Sequence, residues 1–292
     1  MLGLYSPNLL TIKALRGVDK INESSMKLLF SGCRKIKRIF ISEPYDKPPV
    51  VLPNGATSFI SKYCNELEVL KFYNIEQLYT DSITCLSQLT NLRILDLDLV
   101  CTDLSFPIDV FVSNSKLETV NLNGDLYHDT IMRGLGAHCH LLKHVSLTSW
   151  AWRVVTDEGI IAMVQGCPLL ESIEMHTLNN ASDYYFDEED EDGVTYVPTI
   201  SVTNGALYAI AQYCPHLKSL NISSGDPLAY DSIGLDAIIQ GCPCLQVIYN
   251  DDKVYYTCPG YYTCPGYYTD PDPASRSDNF CDTDTDCDSD LS

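Results

Sequence analysis

The feature that most constrains the fold of this chain is a sequence frame that recurs every 25 to 31 residues. Cys139 is followed by apolar residues three, six and eight positions later, and Cys167 restarts the same pattern 28 residues further on. The last two apolar positions are two residues apart and therefore share one face of a short strand. Thr156 is suited to cap a following helix, and Gly166 to end that helix in a left-handed conformation. One unit is therefore predicted to be a strand, a loop and a helix.

The same frame can be followed along most of the chain, and we predict about nine copies. One step, from Cys167 to Cys214, takes 47 residues, which indicates an ordinary unit with an acidic loop inserted at about residues 181–198. The frame predicts a repeat domain at residues 1–252. Its first positions are Ser6, Cys33, Cys64, Leu89, Asn114, Cys139, Cys167, Cys214 and Cys242.

Three segments carry a resemblance to a known family. Gly166-Cys167-Pro168-Leu169-Leu170 and its counterparts at residues 213–217 and 241–245 are similar to the cysteine-containing leucine-rich repeat of F-box/leucine-rich-repeat proteins. The resemblance implies an α/β solenoid, or horseshoe, with parallel strands on the concave face and helices on the convex face. The physics agrees, because one unit cannot bury its own apolar face and neighbours must stack.

Charge is distributed unevenly. The net charge is −20; residues 251–292 hold ten Asp against one Lys and one Arg, and Asp187–Asp192 are six consecutive acids. Residues 253–292 repeat short Tyr-, Pro- and Asp-rich motifs, which predicts a disordered acidic low-complexity tail. A chain this acidic is a poor nucleic-acid binder. No apolar run is long enough to span a membrane, and the N-terminus lacks the pattern of a secretory signal, so we expect an intracellular protein, cytoplasmic or nuclear.

Cysteine and histidine residues do not indicate a metal site. Most cysteines of the repeat domain, among the thirteen in the chain, follow the frame, which favours buried thiols in a reducing compartment over a disulfide framework. His140 and His144 are four residues apart, but the frame predicts that this segment leads into a strand, whereas this spacing binds zinc on a helix. No nucleophile-elbow or phosphate-loop motif occurs. We therefore predict no metal, no cofactor and no enzymatic activity.

Binding is expected at the strand positions that alternate with the core, seven and nine residues after each first position, because these point away from the helices. Trp150 and Trp152 follow one strand and are candidate aromatic anchors, with packing over the edge of the core as the alternative. The polar stripe also has a second interpretation, since every solenoid exposes some residues there. The candidate partner-binding residues are Tyr73, Asp96, Asp98, Asn121, Asn123, Trp150, Trp152, Glu174 and His176.

The resemblance also implies two hypotheses about function. In F-box relatives the repeats hold a substrate, while a preceding F-box recruits a cullin ubiquitin ligase through a small adaptor. Here repeat-like sequence begins within the first ten residues, which leaves no room for an F-box ahead of it. The first copy, from Ser6 to Ala14, is weak and has leucines nearby, whereas a solenoid needs a polar capping unit, so the N-terminal end is expected to be truncated or covered by a partner. The first hypothesis is a substrate receptor whose F-box is missing or dispensable. The second is a free-standing scaffold or competitor that binds a protein partner without a ligase.

Overall fold

The protein folds as a repeating α/β solenoid in which one parallel sheet is backed by a row of helices. A computed structural model describes residues 6–14, 21–53, 55–76, 78, 80–99, 106–124, 129–149, 155–177, 202–223, 231–250 and 253–256. In these ranges, no helix combines the length and the apolar character needed to cross a membrane. The acidic insertion predicted at residues 181–198 and almost all of the predicted tail lie outside the described residues.

The sheet is built in strict chain order, from β1 to β10. Its first nine strands are parallel, one for each predicted copy of the frame, so the predicted solenoid of about nine repeats is confirmed. The tenth strand is antiparallel to the ninth and lies beyond the predicted domain boundary at residue 252. The strands are β1 (Thr11–Ala14), β2 (Arg38–Ser42), β3 (Val69–Ile75), β4 (Ile94–Leu99), β5 (Thr119–Asn123), β6 (His144–Ser149), β7 (Ser172–Thr177), β8 (Ser219–Ser223), β9 (Val247–Asn250) and β10 (Lys253–Tyr256).

A helix lies between each pair of successive parallel strands. Two of the three short units at Cys64–Asn114 have abbreviated helices, and one of these is followed by a 3₁₀ turn at Cys85–Gln88. The helices are α1 (Glu23–Gly32), α2 (Ala56–Tyr63), α3 (Thr80–Thr84), α4 (Asp109–Ser113), α5 (Asp129–His138), α6 (Asp157–Gly166), α7 (Asn204–Tyr213) and α8 (Ser232–Gly241).

The apolar positions of the frame form one continuous core between the sheet and the helices. Leu70, Leu95 and Val120 are direct neighbours across β3, β4 and β5, and all three are fully buried. Residues two positions later pair in the same way, as with Leu122 and Leu147. Because the side-chain period of a strand is two, the intervening positions all face away from the helices.

The first position of the frame is buried in every described copy from Cys33 onward. In some of these copies the side chain also donates a hydrogen bond to a backbone carbonyl. The Sγ of Cys33 donates to the carbonyl of Ser6 at 3.3 Å, and that of Cys167 to the carbonyl of Cys139 at 3.4 Å. The Asn114 side chain takes the place of the thiol, because its Nδ2 donates to the carbonyls of Leu86 at 3.2 Å and Val110 at 2.8 Å. The predicted buried thiols therefore link successive units, and burial raises the pKa of Cys167 to about 12.

The helix starts of neighbouring units are also joined side by side. Thr156 occupies the predicted N-cap position of α6, but its side chain does not cap its own helix. Instead its hydroxyl and backbone N–H donate to the Asp129 carboxylate at 2.5 and 2.9 Å, and Thr203 is joined to Asp157 in the same way. Gly159 permits this approach, because a Cβ there would lie 2.3 Å from Oδ1 of Asp129.

The predicted left-handed conformation of Gly166 is wrong. Gly55 and Gly124 are the glycines with positive φ among the residues that the structure describes. Gly166 instead ends α6 where the helices approach closely, since a Cβ on it would lie 1.8 Å from the carbonyl oxygen of Gly136. Glycine is required there for space rather than for backbone conformation.

The link between helix starts predicts that Asp129→Ala destabilises the protein by about 1–3 kcal/mol, because it leaves the backbone N–H of Thr156 without its acceptor. Urea unfolding measures the change. Glu158→Ala is the matched control: both carboxylates contact Arg133, at 3.7 and 3.1 Å, but Glu158 is exposed. If both substitutions change the free energy of unfolding by the same amount, the assigned role of Asp129 is contradicted.

The buried thiols predict a loss of stability at alkaline pH. Burial raises the pKa of Cys64, Cys139, Cys167 and Cys214 from an ordinary value of 9.0 to about 12. Below pH 9 these thiols are protonated in both the folded and the unfolded state, so their contribution to stability is complete. Between pH 9 and 12 the unfolded chain alone loses it, so each thiol removes about 1.4 kcal/mol of stability per pH unit.

Urea unfolding at pH 8 to 11 tests this in variants that lack one thiol. We expect the free energy of unfolding of Cys167→Ala to fall less steeply with pH than that of the wild-type chain, by about 1.4 kcal/mol per pH unit. Cys244→Ala, which removes a thiol exposed in the fold, is the control and retains the wild-type slope. A wild-type slope in Cys167→Ala would contradict the prediction.

Candidate binding surface on the concave face

The candidate surface consists of the strand residues that face away from the helices, five, seven and nine positions after each first residue of the frame. The sheet aligns these residues into rows, because neighbouring strands pair in register, except where β3 shifts against β4 after Phe72. In one row, Lys71 is the neighbour of Asp96, and Asp96 is the neighbour of Asn121. The row continues through Ser146 to Glu174. The structure therefore brings most of the predicted binding residues together on one face.

Asp96 lies at the centre of a hydrogen-bonded cluster in this row. Its Oδ2 accepts hydrogen bonds from the Tyr73 hydroxyl at 2.6 Å, the Lys71 ammonium at 3.0 Å and the Asn121 amide at 3.2 Å. The side chain of Lys71 is one-quarter exposed, and burial is the largest single effect on its pKa and lowers it. The hydrogen bonds and charges of Asp96 and Tyr73 together outweigh burial and raise the Lys71 pKa. The carboxylate thus holds three neighbouring side chains in place.

Asp98 holds a second group of residues. Its Oδ2 accepts a hydrogen bond from the hydroxyl of Tyr45, which belongs to the loop after β2, and another from the backbone N–H of Asn74 at 3.2 Å. Partial burial of the hydroxyl where it meets Asp98, and the bond itself, both raise the pKa of Tyr45 well above its usual range. Tyr45 therefore keeps its proton and remains a donor to the carboxylate.

The prediction that Asp96 and Asp98 are exposed acids of the concave face is wrong in one respect. Both are on this face, but they are 3% and 4% exposed because the side chains of neighbouring strands and of the loop after β2 cover them. A buried carboxylate with several donors is part of the fold. Their direct contact with a partner stays a prediction, and the structure gives them a first role as supports for Tyr45, Tyr73 and Lys71.

The loop at residues 43–50 is fixed to the sheet by Asn74. Asn74 has a φ of 54°, a left-handed conformation that asparagine tolerates better than most residues. Its Nδ2 lies 3.2–3.4 Å from the carbonyl oxygens of Glu43, Pro44 and Lys47, and its own carbonyl accepts from the Val50 N–H at 2.8 Å. Neither Tyr45 nor Asn74 is among the residues predicted from the sequence. An asparagine at the end of a strand was the available signal.

The other predicted residues differ in how far the structure describes them. Asn121 and Asn123 are half-buried, and the Oδ1 of Asn123 is shielded from solvent without accepting a hydrogen bond among the described residues. Glu174 is half-buried in β7, and His176 lies in the same strand with an undescribed side chain. Trp150 and Trp152 lie outside the described residues.

A second row of charges lies at the edge where each strand begins. From the second to the eighth unit, the residue four positions after the first position alternates in sign from unit to unit, and we call this set the charge column. Its pairs are Lys37 with Glu68 at 2.8 Å, Glu118 with both Arg93 at 2.5 Å and Lys143 at 3.3 Å, and Glu171 with Lys218 at 2.6 Å. The column consists of Lys37, Glu68, Arg93, Glu118, Lys143, Glu171 and Lys218.

Each glutamate of the charge column is paired with a cation of the same column, which holds four cations and three anions. Hydrogen bonds from Lys37 and Lys218 lower the pKa of Glu68 and Glu171, respectively. An open groove beside the column is lined by both signs of charge, including Glu66 and Lys116. We therefore regard this edge as a structural element rather than a binding site. The described residues contain no group of three or more potential metal ligands.

Comparisons with known proteins show similarity to a bovine sequence and to two bacterial structures, among others. No family model matches the chain. F-box/LRR-repeat protein 4 from Bos taurus is 21% identical over 168 residues, which cover 56% of this chain and 24% of the bovine protein. The chain thus matches about a quarter of the length of that relative. The predicted resemblance to repeats of the F-box/leucine-rich-repeat type is confirmed by this match.

Two bacterial structures are similar at lower identity. An internalin, InlF, from Listeria monocytogenes aligns with a TM-score of 0.42 and 11% identity over 82% of this chain and 61% of its own. The leucine-rich repeat-containing protein LegL7 from Legionella pneumophila aligns with a TM-score of 0.39 and 10% identity over 78% of this chain and 70% of its own.

The cluster around Asp96 predicts a large effect of Asp96→Ala on stability. The substitution leaves the partly buried ammonium of Lys71 and the hydroxyl of Tyr73 without their acceptor, and we expect a loss of about 3 kcal/mol in urea unfolding. Glu76→Ala removes an exposed carboxylate one residue after β3 and is the control, with an expected change within about 0.5 kcal/mol. Equal stability of Asp96→Ala and the wild-type chain would contradict the cluster's role.

Proposed function

We propose that this chain is a protein-interaction module that holds a partner protein on its concave face, and that it serves as the substrate-recognition component of a cullin-type ubiquitin ligase. The observation that supports binding is the ordered row of polar side chains on a rigid parallel sheet. Nine parallel strands about 4.8 Å apart extend over roughly 40 Å, which is the scale of a protein surface. The match to a bovine F-box/LRR-repeat protein supports the ligase role.

The proposed contacts lie on the middle strands. Tyr73, Asn121 and Asn123 are half-buried on the concave face, so each presents part of its side chain to solvent from a fixed position. Glu174 supplies a carboxylate further along the same row. Trp150 and Trp152, which directly follow β6, and His176 in β7 are proposed as further contacts. Asp96 and Asp98 would contribute by holding the residues around them.

A free-standing scaffold or competitor is the second candidate, because partner binding on the concave face needs no ligase. Both candidates use the same surface and differ in what else binds the chain. The cytoplasmic or nuclear location and the lack of enzymatic activity belong to this proposal and stay predictions.

The test is affinity purification of the tagged full chain from its own cells, followed by mass spectrometry. The concave variant is Asn121→Arg with Glu174→Arg. The matched control is Gln165→Arg with Glu158→Arg, which makes the same change in charge at two exposed positions of α6. We expect a cullin adaptor and a second protein with the wild-type chain, and loss of the second protein alone in the concave variant.

Two other outcomes decide between the candidates. A stable partner without any ligase component would favour the scaffold and contradict the receptor role. A partner retained by the concave variant as well as by the control would contradict the assignment of binding to this face.

A further inference from the structure

The first three strands of the concave face differ in charge from the rest of the protein. Their outward positions carry Lys13, Arg38 and Lys71 and no acidic residue. Lys13 and Arg38 are exposed, and Arg38 is held towards β1 by a hydrogen bond from its Nε to the Thr11 hydroxyl at 3.2 Å. In a chain with a net charge of −20, this local group of cations is not explained by composition.

The acidic residues near these cations are mostly covered. Glu43, Asp96 and Asp98 are buried, and each already has a partner. Asp46, in the loop after β2, is exposed next to Lys47, which is exposed as well. Lys71 is itself the partner of Asp96, so the cations that an approaching molecule meets first at this end of the face are Lys13 and Arg38, with the exposed quarter of Lys71 beside them.

Aromatic rings lie between the cations. The ammonium of Lys13 is 5.2 Å from the centre of the Phe40 ring, and that of Lys71 is 5.9 Å from the centre of the Tyr73 ring. Tyr45 is 73% exposed although its hydroxyl is bonded to the buried carboxylate of Asp98. A solvent-exposed ring that is fixed at its tip presents apolar area without losing side-chain freedom on binding.

We propose that Lys13, Arg38, Phe40, Tyr45, Lys71 and Tyr73 form a preorganised docking surface for an acidic, extended segment of the partner protein. We call these six residues the cation–aromatic surface. This inference rests on the proposed function and assigns the chemistry of one part of the concave face. Carboxylates of the partner would meet the cations, and its apolar side chains would lie on the three rings.

Charge and spacing favour this occupant. The distance across β1 to β3 is roughly 10 Å, which an extended peptide covers with about three residues. Carboxylates at such a spacing can reach Lys13 and Lys71 together. A nucleic acid would satisfy the same cations, but it carries a negative charge at every nucleotide and would be repelled by the acidity of the whole chain more strongly than a short segment with a few carboxylates.

The test uses a defined probe, a fluorescein-labelled twelve-residue peptide in which Asp or Glu alternates with Leu and Ser. Its control has every carboxylate replaced by the corresponding amide. Fluorescence anisotropy with the full chain is expected to show binding of the acidic probe that weakens with salt, and at least tenfold weaker binding of the amide probe.

Two lysines provide a matched pair of variants. Lys13→Glu should weaken binding of the acidic probe at least tenfold. Lys62→Glu is the control, because it makes the same change in net charge on α2, away from the concave face. It also removes an ammonium that lies over an aromatic ring, 5.6 Å from the centre of the Tyr63 ring. We expect it to retain wild-type affinity.

Tyr45→Phe keeps the ring, releases it from Asp98, and should weaken binding several-fold. Circular dichroism confirms that each variant is folded.

Several outcomes would overturn the inference. These are equal binding of the acidic and amide probes, equal effects of Lys13→Glu and Lys62→Glu, or tighter binding of a poly-dT oligonucleotide than of the acidic probe. If the acidic probe binds only when the acids at residues 187–192 are replaced by amides, the surface is assigned to the chain's own loop instead of a partner.

The purification experiment separates this inference from the proposed function. A cellular partner that is retained by Lys13→Glu but lost in the Asn121→Arg, Glu174→Arg variant would leave the proposed function standing and remove the cation–aromatic surface from it. Failure to capture any partner would count against the proposed function itself, whatever the peptide does.

Discussion

The structure depends on hydrogen bonds between consecutive units, since no strand of the sheet can satisfy its backbone alone. One carbonyl at the start of each strand accepts two N–H groups from the next unit. The carbonyl of Lys143 accepts from Glu171 at 2.7 Å and Ser172 at 3.0 Å, and that of Lys37 accepts from Glu68 and Val69. The same contact recurs through the parallel sheet, so cooperativity passes from neighbour to neighbour along the solenoid.

Side chains repeat this backbone link at three further levels. The first-position cysteines and Asn114 bind the preceding unit beneath the sheet. Asp129 and Asp157 join the helix starts, and the charge column joins the strand starts. With the scaffold fixed in this way, the concave face can carry polar and aromatic groups that do little for the core. That division of tasks is consistent with a binding role for this face.

The repeat frame and its buried positions could be predicted because each depends on residues close in sequence. The burial of Asp96 and Asp98 could not, because it results from Tyr45 and Tyr73, 53 and 23 residues away from their respective partners. Thr156 was correctly placed at a helix start, but its hydrogen bond goes to Asp129 in the preceding unit. Local sequence identifies the position of a polar residue, and only the stacked units determine which partner it finds.

The alternating signs of the charge column limit how such a chain can change its length. A cation in one unit stands beside an anion in the next, from Lys37 to Lys218. Removing or duplicating a single unit within this stretch would place like charges side by side, whereas removing or duplicating two adjacent units would keep the alternation. A pair of repeats is therefore the smallest change of length that preserves the charge column.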